Sequence, residues 1–299
     1  MRKGFTLAFR TVVLDTPCRC TYQGGYLVVR QEDRQPRVHL GEISSIMLGT
    51  EQIFLSAYLL AELAKLKIPV IVTDEKHNPV GEYLPLYGAH NCSKCMLEQL
   101  AWGEVIKKQV WRSIVQHKIL QQSSMLAYLG YSDAAKTLKE YVSKTKSGDA
   151  TNREALAARL YFVTLFGPDF TREQNTPLNA CLNYGYAILL ASVNREIVSH
   201  GYLTQIGIFH RSEFNHFNLA CDLMEPFRPL IDIIVCENFA QNFDNDMRHT
   251  LCGFVDYQLL YMNGRYKAAS VVKSYISDCL AALNKEKLPD EIKSFGFML

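Results

Sequence analysis

The residues best suited to chemistry lie in one stretch, residues 207–234, which reads GIFHRSEFNHFNLACDLMEPFRPLIDII. Its polar side chains stand among residues that would suit a hydrophobic core. If a helix runs through the stretch, Asn218, Asp222 and Glu225 share one face, because side chains at i, i+4 and i+7 are neighbours there. His210 lies in the loop just before that helix. The imidazole and the carboxylates can therefore converge on one point.

Carboxylates and an imidazole together form a mixed oxygen and nitrogen ligand set, which suits Mg²⁺ or Mn²⁺. A hard cation at this point would hold a phosphodiester, polarise it and activate the attacking oxygen. A structural interpretation stays open beside this one. Asp222 and Glu225 could pair with Arg228 across the bend made by two prolines, and His210 could be an ordinary surface residue.

A second candidate carboxylate is Glu154, in the stretch Thr151-Asn152-Arg153-Glu154 before the apolar run ALAARLYFVTLFG. Thr-x-x-Glu before such a run is typical of a capping box, in which the Glu side chain bonds back to its own helix start. Alternatively, Glu154 points from the first turn of the helix towards a metal. The spacing does not separate these two interpretations.

The elements that must position these residues divide into two groups along the chain. Up to about residue 88, short runs of β-branched residues alternate with turn signals, and Gly24-Gly25 separates two of them as in a hairpin. Ser56 is placed to cap one embedded helix, which Pro69 ends. We therefore predict a small N-terminal β-rich, β-sandwich-like domain over residues 1–88.

From about residue 94 to 286 the apolar residues recur at helical spacing, and glycine-containing breakers separate the segments. The pattern predicts a larger all-α domain over residues 89–299. Ser212 is a plausible N-cap for the helix that carries Asp222. The predicted fold class is α+β with two domains, β-rich first and α-helical second.

The composition is that of a globular cytoplasmic protein. Of 299 residues, 48% are hydrophobic, yet no apolar run approaches the roughly 20 residues that span a bilayer. The nine cysteines are scattered and odd in number, so we expect reduced thiols. Cys92 and Cys95 have metal-ligand spacing, but a structural zinc site needs two more ligands, and ordinary thiols are favoured. No P-loop, GxGxxG, HExxH or nucleophile elbow is present.

Positive charge is concentrated in two segments. Residues 94–146 hold nine Lys/Arg against four acids, and residues 1–37 hold seven against three. Such segments indicate contact with a polyanion, although solvated helix and strand faces would give the same composition.

Four blocks of the sequence resemble the integrase family of CRISPR adaptation, the first of the universal Cas proteins. The blocks are NREALAARLYFVTLFG, NACLNYGYAILLASVNREI, GIFH and FNLACDLMEPFRPLID, in that order. The resemblance runs over nearly the whole chain. The details RTVVLDT and TREQNTPLNACLNYGY are most similar to the type II (II-A) branch, which works beside an RNA-guided effector nuclease.

The resemblance implies roles for individual residues. Glu154, His210 and Glu225 match the family's three metal ligands, and they would be the catalytic residues that hold Mg²⁺ or Mn²⁺. Some branches have Asp as the third ligand, so the longer Glu225 should shift the metal slightly. Three polar neighbours would support these ligands or contact DNA: Asn218, Asp222 and Arg228. Four basic residues close together on a predicted helix are candidates for contact with a DNA backbone: Lys107, Lys108, Arg112 and Lys118.

The activity that the resemblance implies is that of a metal-dependent DNA endonuclease and integrase. The 3′-hydroxyl ends of a short DNA duplex, the prespacer, would attack a phosphodiester at the leader–repeat junction of a CRISPR array by transesterification. Two strands must be joined, so we expect at least a homodimer, with the β-rich domain as the dimerisation element. The resemblance further implies a heterohexamer, in which a dimer of the small second Cas protein bridges two dimers of this chain. The type II effector and accessory adaptation proteins are further candidate partners, and no membrane is involved.

Two other functions remain open from the sequence. A metal-dependent DNA nuclease of repair would leave cleaved ends where an integrase leaves joined ones. A non-catalytic DNA-binding scaffold is the other alternative, and the presence of all three candidate ligands argues against it.

Overall fold

The computed structural model of the protein describes residues 10–74, 79–85 and 89–298. Within these ranges, the first part of the chain forms eight strands and one α-helix. The strands are β1 (Arg10–Leu14), β2 (Cys18–Gln23), β3 (Tyr26–Arg30), β4 (Arg37–His39), β5 (Ile43–Leu48), β6 (Ile53–Leu55), β7 (Val70–Thr73) and β8 (Pro79–Tyr83), and the helix is α1 (Ala57–Lys65).

These strands form two four-stranded sheets, in the orders β4-β3-β2-β6 and β1-β5-β7-β8. The predicted hairpin is confirmed: β2 and β3 pair antiparallel across Gly24 and Gly25, whose φ values of 56° and 89° favour glycine. In the second sheet β1, β5 and β7 are parallel and β8 is antiparallel. Ser56 caps α1 as predicted, because its Oγ accepts a hydrogen bond from the N–H of Leu59 at 3.2 Å.

The second part of the chain is mainly helical. Its helices are α2 (Cys92–Leu100), α3 (Glu104–Tyr128), α4 (Ser132–Lys144), α5 (Arg153–Phe166), α6 (Pro177–Ser199), α7 (Asn218–Met224), α8 (Arg228–Asn238), α9 (Asn245–Cys252) and α10 (Ala268–Leu283). The predicted two-part α+β architecture is confirmed. The predicted boundary at residue 88 lies outside the described residues, so the exact division stays a prediction.

The second part is not all-α, which corrects the sequence prediction. It contains a three-stranded sheet in the order β10-β9-β11, formed by β9 (Gln258–Tyr261), β10 (Gly264–Lys267) and β11 (Gly296–Phe297). The turn between β9 and β10 has positive φ at Met262 and Asn263, 47° and 63°, as in the tight turns that join two strands. Asn263 suits the second central position of this turn, but Met262 at the first position is no turn signal and each strand has only four residues, so the sequence pattern did not indicate the hairpin.

Two long helices, α3 and α6, run through the main hydrophobic core and carry many of its buried residues. α6 and α8 approach closely at Gly185, where a Cβ atom would lie only 2.4 Å from Cγ2 of Ile231. Contacts between the two parts of the chain are partly polar: Asn194 on α6 donates to Glu82 on β8 at 2.8 Å. None of the helices in the described ranges has the length and apolar character needed to cross a membrane.

Candidate active site

The ammonium group of Lys118, in the middle of α3, lies between two carboxylates from distant parts of the chain. Its Nζ is 2.7 Å from Oε1 of Glu154 and 2.5 Å from Oε2 of Glu225. The three side chains are largely shielded from water, with exposed fractions of 11%, 21% and 6%. The structure thus brings together the two predicted carboxylate ligands around a positive charge.

Glu154 reaches this position because another residue caps its helix. Oδ1 of Asp149 accepts from the N–H of Arg153 at 2.8 Å, and Oδ2 accepts from the N–H of Glu154 at 2.9 Å. The chain arrives through a left-handed residue, Asn152, with φ 50° and no side-chain cap. The capping box of Thr151 and Glu154 is therefore not formed, and the Glu154 carboxylate extends to Lys118 instead.

Glu225 lies just after α7, in a short 3₁₀ segment. Nε of Arg228 donates to its Oε1 at 2.8 Å. Burial by itself raises the pKa of Glu225, but the charges of Arg228 and Lys118 outweigh that effect and lower it to about 2. The carboxylate is therefore ionised although it is buried. Pairing of Glu225 with Arg228, one of the two interpretations of the sequence, occurs together with the approach to Lys118.

His210 is held by a fully buried carboxylate, that of Asp222. Oδ2 of Asp222 accepts from the N–H of Ile208 at 2.6 Å and of Phe209 at 3.0 Å. Oδ1 accepts from the N–H of His210 at 3.1 Å and from its Nδ1 at 2.6 Å. This last hydrogen bond is the main reason that the pKa of His210 is raised, and the charges of nearby carboxylates add to it. Because Nδ1 donates to Asp222, the lone pair of Nε2 is left for a ligand.

The loop that carries His210 ends where α7 begins, at Asn218. The predicted N-cap at Ser212 is wrong: its Oγ accepts from the N–H of Phe214 at 3.3 Å inside a turn that precedes the helix. Nδ2 of Asn218 donates to the carbonyl groups of Gln205 at 3.0 Å and Ser212 at 2.8 Å. Asn218 and Asp222, one turn apart on α7, therefore fix the same loop.

Arg228 packs against a hydrogen-bonded group of Tyr186, Tyr161 and Asp232, which the sequence analysis did not identify. Its guanidinium lies 4.7 Å from the ring centroid of Tyr186, whose hydroxyl donates to Asp232. The hydroxyl of Tyr161 donates to the other oxygen of Asp232 at 2.9 Å. Burial raises the pKa of Asp232 to about 6, although these hydroxyls and nearby arginines oppose the shift. The signal in the sequence was the hydroxyl groups of two buried tyrosines, which need a partner.

The basic residues predicted to contact DNA lie in different surroundings. Lys118 is buried between two carboxylates, so the structure does not support it as a contact for a DNA backbone. Arg112 forms an ion pair with Asp290 at 2.5 Å, and the side chain of Lys107 is only 15% exposed. Lys108 is exposed. Four aromatic side chains of α3, α6 and the turn before α3 are buried: Trp102, Trp111, Tyr184 and Tyr186.

The donor set at this site fits a hard divalent cation. Oε2 of Glu225 lies against the ammonium of Lys118, and Nδ1 of His210 is bound to Asp222, which leaves Nε2 facing away from that carboxylate. Among the described side chains, however, no three or more of His, Cys, Asp and Glu are grouped as a metal site. Lys118 explains this difference, because its ammonium takes the place between the carboxylates that a cation would need. Cys92 and Cys95 are free thiols, and Sγ of Cys92 donates to the carbonyl of Ala89 at 2.6 Å.

Comparisons with known proteins identify the family. The sequence family described as CRISPR associated protein Cas1 matches residues 11–249. The CRISPR-associated endonuclease Cas1 of Neisseria meningitidis serogroup C (strain 8013) is 34% identical over 294 residues, which cover 95% of this chain and 97% of the relative.

Two solved structures share the fold. A casposase bound to integration product has a TM-score of 0.76 at 16% identity, over 94% of this chain and 92% of that chain. A Cas6-RT-Cas1–Cas2 complex also has a TM-score of 0.76, at 19% identity, and covers 99% of this chain but only 37% of that longer chain. With the family match and the bacterial relative, the conclusion is that the chain belongs to the Cas1 family of CRISPR-associated proteins.

Proposed function

We propose that this Cas1 protein is the integrase of CRISPR adaptation, a DNA endonuclease and transesterase that joins the 3′-hydroxyl ends of a short DNA duplex to the leader–repeat DNA of a CRISPR array. The observation that supports it best is the arrangement around Lys118. Two carboxylates from separate helical segments face one positive charge, at 2.7 and 2.5 Å, and a histidine held by a buried aspartate feels the charges of both.

Three residues would hold the metal: Glu154, His210 and Glu225. Bound there, Mg²⁺ or Mn²⁺ would supply Lewis acidity to a phosphodiester and lower the barrier to attack on it. Both ions bind oxygen and nitrogen donors of the kind present here, so we propose the site for either Mg²⁺ or Mn²⁺.

The protein's own residues position and charge this site. Asp222 accepts a hydrogen bond from Nδ1 and so fixes the tautomer and orientation of His210. Arg228 keeps Glu225 ionised in a buried place, and Tyr186 supports Arg228 through its ring. Asn218, Asp222 and Arg228 therefore act on the ligands rather than on DNA in this proposal.

The partners follow from the same function. A relative of similar fold assembles with Cas2, so we propose the small second Cas protein as a partner of this chain, together with double-stranded prespacer and leader–repeat DNA. Joining two strands requires two active sites, which a homodimer formed through the β-rich part, residues 1–88, would provide. Two such dimers bridged by a Cas2 dimer, the type II (II-A) assignment, and contact with a type II effector or accessory proteins stay predictions.

A DNA nuclease of repair is the competing function, and a non-catalytic scaffold is the third. The two enzymes would use the same residues and differ in product, because one transfers the phosphodiester to a 3′-hydroxyl and the other to water. The buried ion pairs of Glu225 with Lys118 and Arg228 argue against the scaffold, since apolar residues in their place would avoid the desolvation of these charges.

A strand-transfer assay tests the proposal. The protein is mixed with Cas2, a short duplex with 3′-hydroxyl ends and a supercoiled repeat-bearing plasmid, in Mn²⁺ or in EDTA. We expect covalent joining only with Mn²⁺, its loss in Glu225→Gln, and its retention in Glu173→Gln, an exposed carboxylate between α5 and α6. Cutting without joining would support the repair nuclease, and neither product with Cas2 bound would support the scaffold.

A further inference from the structure

The ring of Phe209, next to His210 in the chain, lies flat on the indole of Trp111. Their ring centroids are 4.4 Å apart and their planes differ by 3°. Trp111 is buried, with 1% of its surface exposed, whereas Phe209 is 50% exposed. One face of the Phe209 ring is thus covered by the buried Trp111, while half of the Phe209 side chain is exposed to solvent.

This ring is fixed relative to the candidate active site. The N–H of Phe209 donates to the same carboxylate, Asp222, that binds the N–H and Nδ1 of His210. Gly207 keeps the loop close to that carboxylate, because a Cβ atom there would lie 2.8 Å from Oδ2 of Asp222 and 2.4 Å from the carbonyl oxygen of His210. The exposed ring and the imidazole therefore belong to one turn that is bound to a single carboxylate.

Positive charge surrounds the ring. A cavity of about 370 Å³ lies beside it, and its charged lining residues are Glu104, Lys107, Lys108 and Arg211. It contains three cations and one carboxylate. The Glu104 carboxylate pairs with the guanidinium of Arg211 at 2.7 Å and lies 3.8 Å from the ammonium of Lys107. The charged side chains of the lining therefore carry a net positive charge.

A flat apolar face with cations at its edge is the combination that binds a nucleotide, since the face stacks on a base and the cations contact the phosphates. We propose that Phe209 is the stacking platform for one unpaired nucleobase of the DNA strand whose phosphodiester or 3′ end lies at His210. The base must be unpaired and unstacked on one side, because both faces of a base inside a duplex are covered. Stacking of this kind depends little on base identity.

This inference rests on the proposed function for its substrate, DNA, but the test does not need catalysis. The probe is a duplex with a short single-stranded 3′ extension in which 2-aminopurine replaces one base at a time. Binding is measured in EDTA by anisotropy, and stacking by quenching of 2-aminopurine fluorescence. We expect strong quenching at one position of the extension with the wild-type protein.

Phe209→Ala should remove that quenching and weaken binding of the extended duplex by about tenfold to a hundredfold. Binding of a blunt duplex should stay the same. Phe214→Ala is the matched control: Phe214 lies in the same loop and is 84% exposed, so its loss should change neither signal. Phe209→Tyr keeps the ring and should restore both, which separates stacking from damage to the fold.

Quenching that persists in Phe209→Ala, or failure of Phe209→Tyr to restore it in a protein with the wild-type melting temperature, would overturn the platform. The two proposals fail separately. If quenching depends on Phe209 but no strand is joined in Mn²⁺ with Cas2, the stacking proposal stands and the integrase proposal fails. If Phe209→Ala joins strands as well as the wild type and its quenching is unchanged, the integrase proposal stands and the stacking proposal fails.

Discussion

Replacing Lys118 by methionine should destabilise the metal-free protein by about 3 kcal/mol. The ammonium contacts both carboxylates, so their oxygens are at most about 5 Å apart, where two like charges repel by about 3 kcal/mol at an effective dielectric constant of about 20. Loss of one partner from a buried ion pair gives a similar figure, about 3–5 kcal/mol. The lower end applies because Arg228 still binds Glu225 and Glu154 is 21% exposed.

A divalent cation should reverse much of this loss. In the wild-type protein Mn²⁺ must displace the ammonium before it can bind between Glu154 and Glu225, whereas in Lys118→Met the place is open and the carboxylates repel. Ligand binding to the folded state stabilises it by an amount that grows with affinity. The rise in melting temperature on adding Mn²⁺ should therefore be larger for the variant than for the wild type.

The assay is urea unfolding in EDTA, followed by thermal unfolding at increasing Mn²⁺. Lys139→Met, an exposed lysine on α4, is the control and should change the free energy of unfolding by less than about 0.5 kcal/mol. Equal stability of Lys118→Met and the wild type in EDTA would refute the charge argument. A variant that loses stability but gains no more from Mn²⁺ than the wild type would show that the metal does not bind at this place.

Three further predictions concern single residues. Asp222→Asn should lower Mn²⁺ affinity about 10–100-fold by calorimetry, because an amide cannot accept all the hydrogen bonds that orient His210; unchanged affinity would exclude His210 as a ligand. Burial raises the pKa of Glu82 to about 7, against a hydrogen bond from Asn194 that lowers it, so the folded state holds this proton more tightly. The wild type should therefore be most stable below pH 4.5 relative to Glu82→Gln and lose up to about 3 kcal/mol of that difference as the pH rises to 7, measured by urea unfolding; parallel pH profiles would contradict it. Affinity for duplex DNA should fall steeply with salt, and Lys108→Gln should reduce the slope of log K against log salt by about 1; a slope equal to that of the wild type would remove Lys108 from the interface.

The elements that could be predicted from the sequence are those fixed by neighbouring residues. Gly24-Gly25 and Ser56 set a hairpin and a helix start through local geometry, and the structure contains both. Local sequence patterns gave the wrong helix cap where a residue outside the pattern accepted the hydrogen bonds. Thr151 and Glu154 have the spacing of a capping box, but Asp149, placed by a left-handed turn, satisfies the helix start instead.

The candidate site shows the same division. The helical spacing of Asp222 and the order of Glu154, His210 and Glu225 indicated the carboxylates and the imidazole. The partner between the carboxylates could not be read in this way, because Lys118 resembles the other basic residues of its helix and only the packing of α3 shows that it points inwards. The sequence alone does not show whether a lysine is buried or exposed. Its burial decides whether it can contact DNA or instead neutralises the carboxylates of the site.

Buried carboxylates in apolar company are stable here because each has its own partners. Asp222 accepts three backbone N–H groups and an imidazole, Asp232 accepts two tyrosine hydroxyls, and Glu225 lies against two cations. At the centre, the charges of Glu154 and Glu225 equal those of Lys118 and Arg228, so these four side chains together are neutral. A divalent cation held by Glu154 and Glu225, with Lys118 still nearby, would give this cluster a net positive charge. In a low-dielectric setting such a change favours a phosphodiester strongly. The apolar surroundings and Lys118 together would therefore couple DNA binding to metal binding, which is why the response of Lys118→Met to Mn²⁺ is the most informative measurement on this protein.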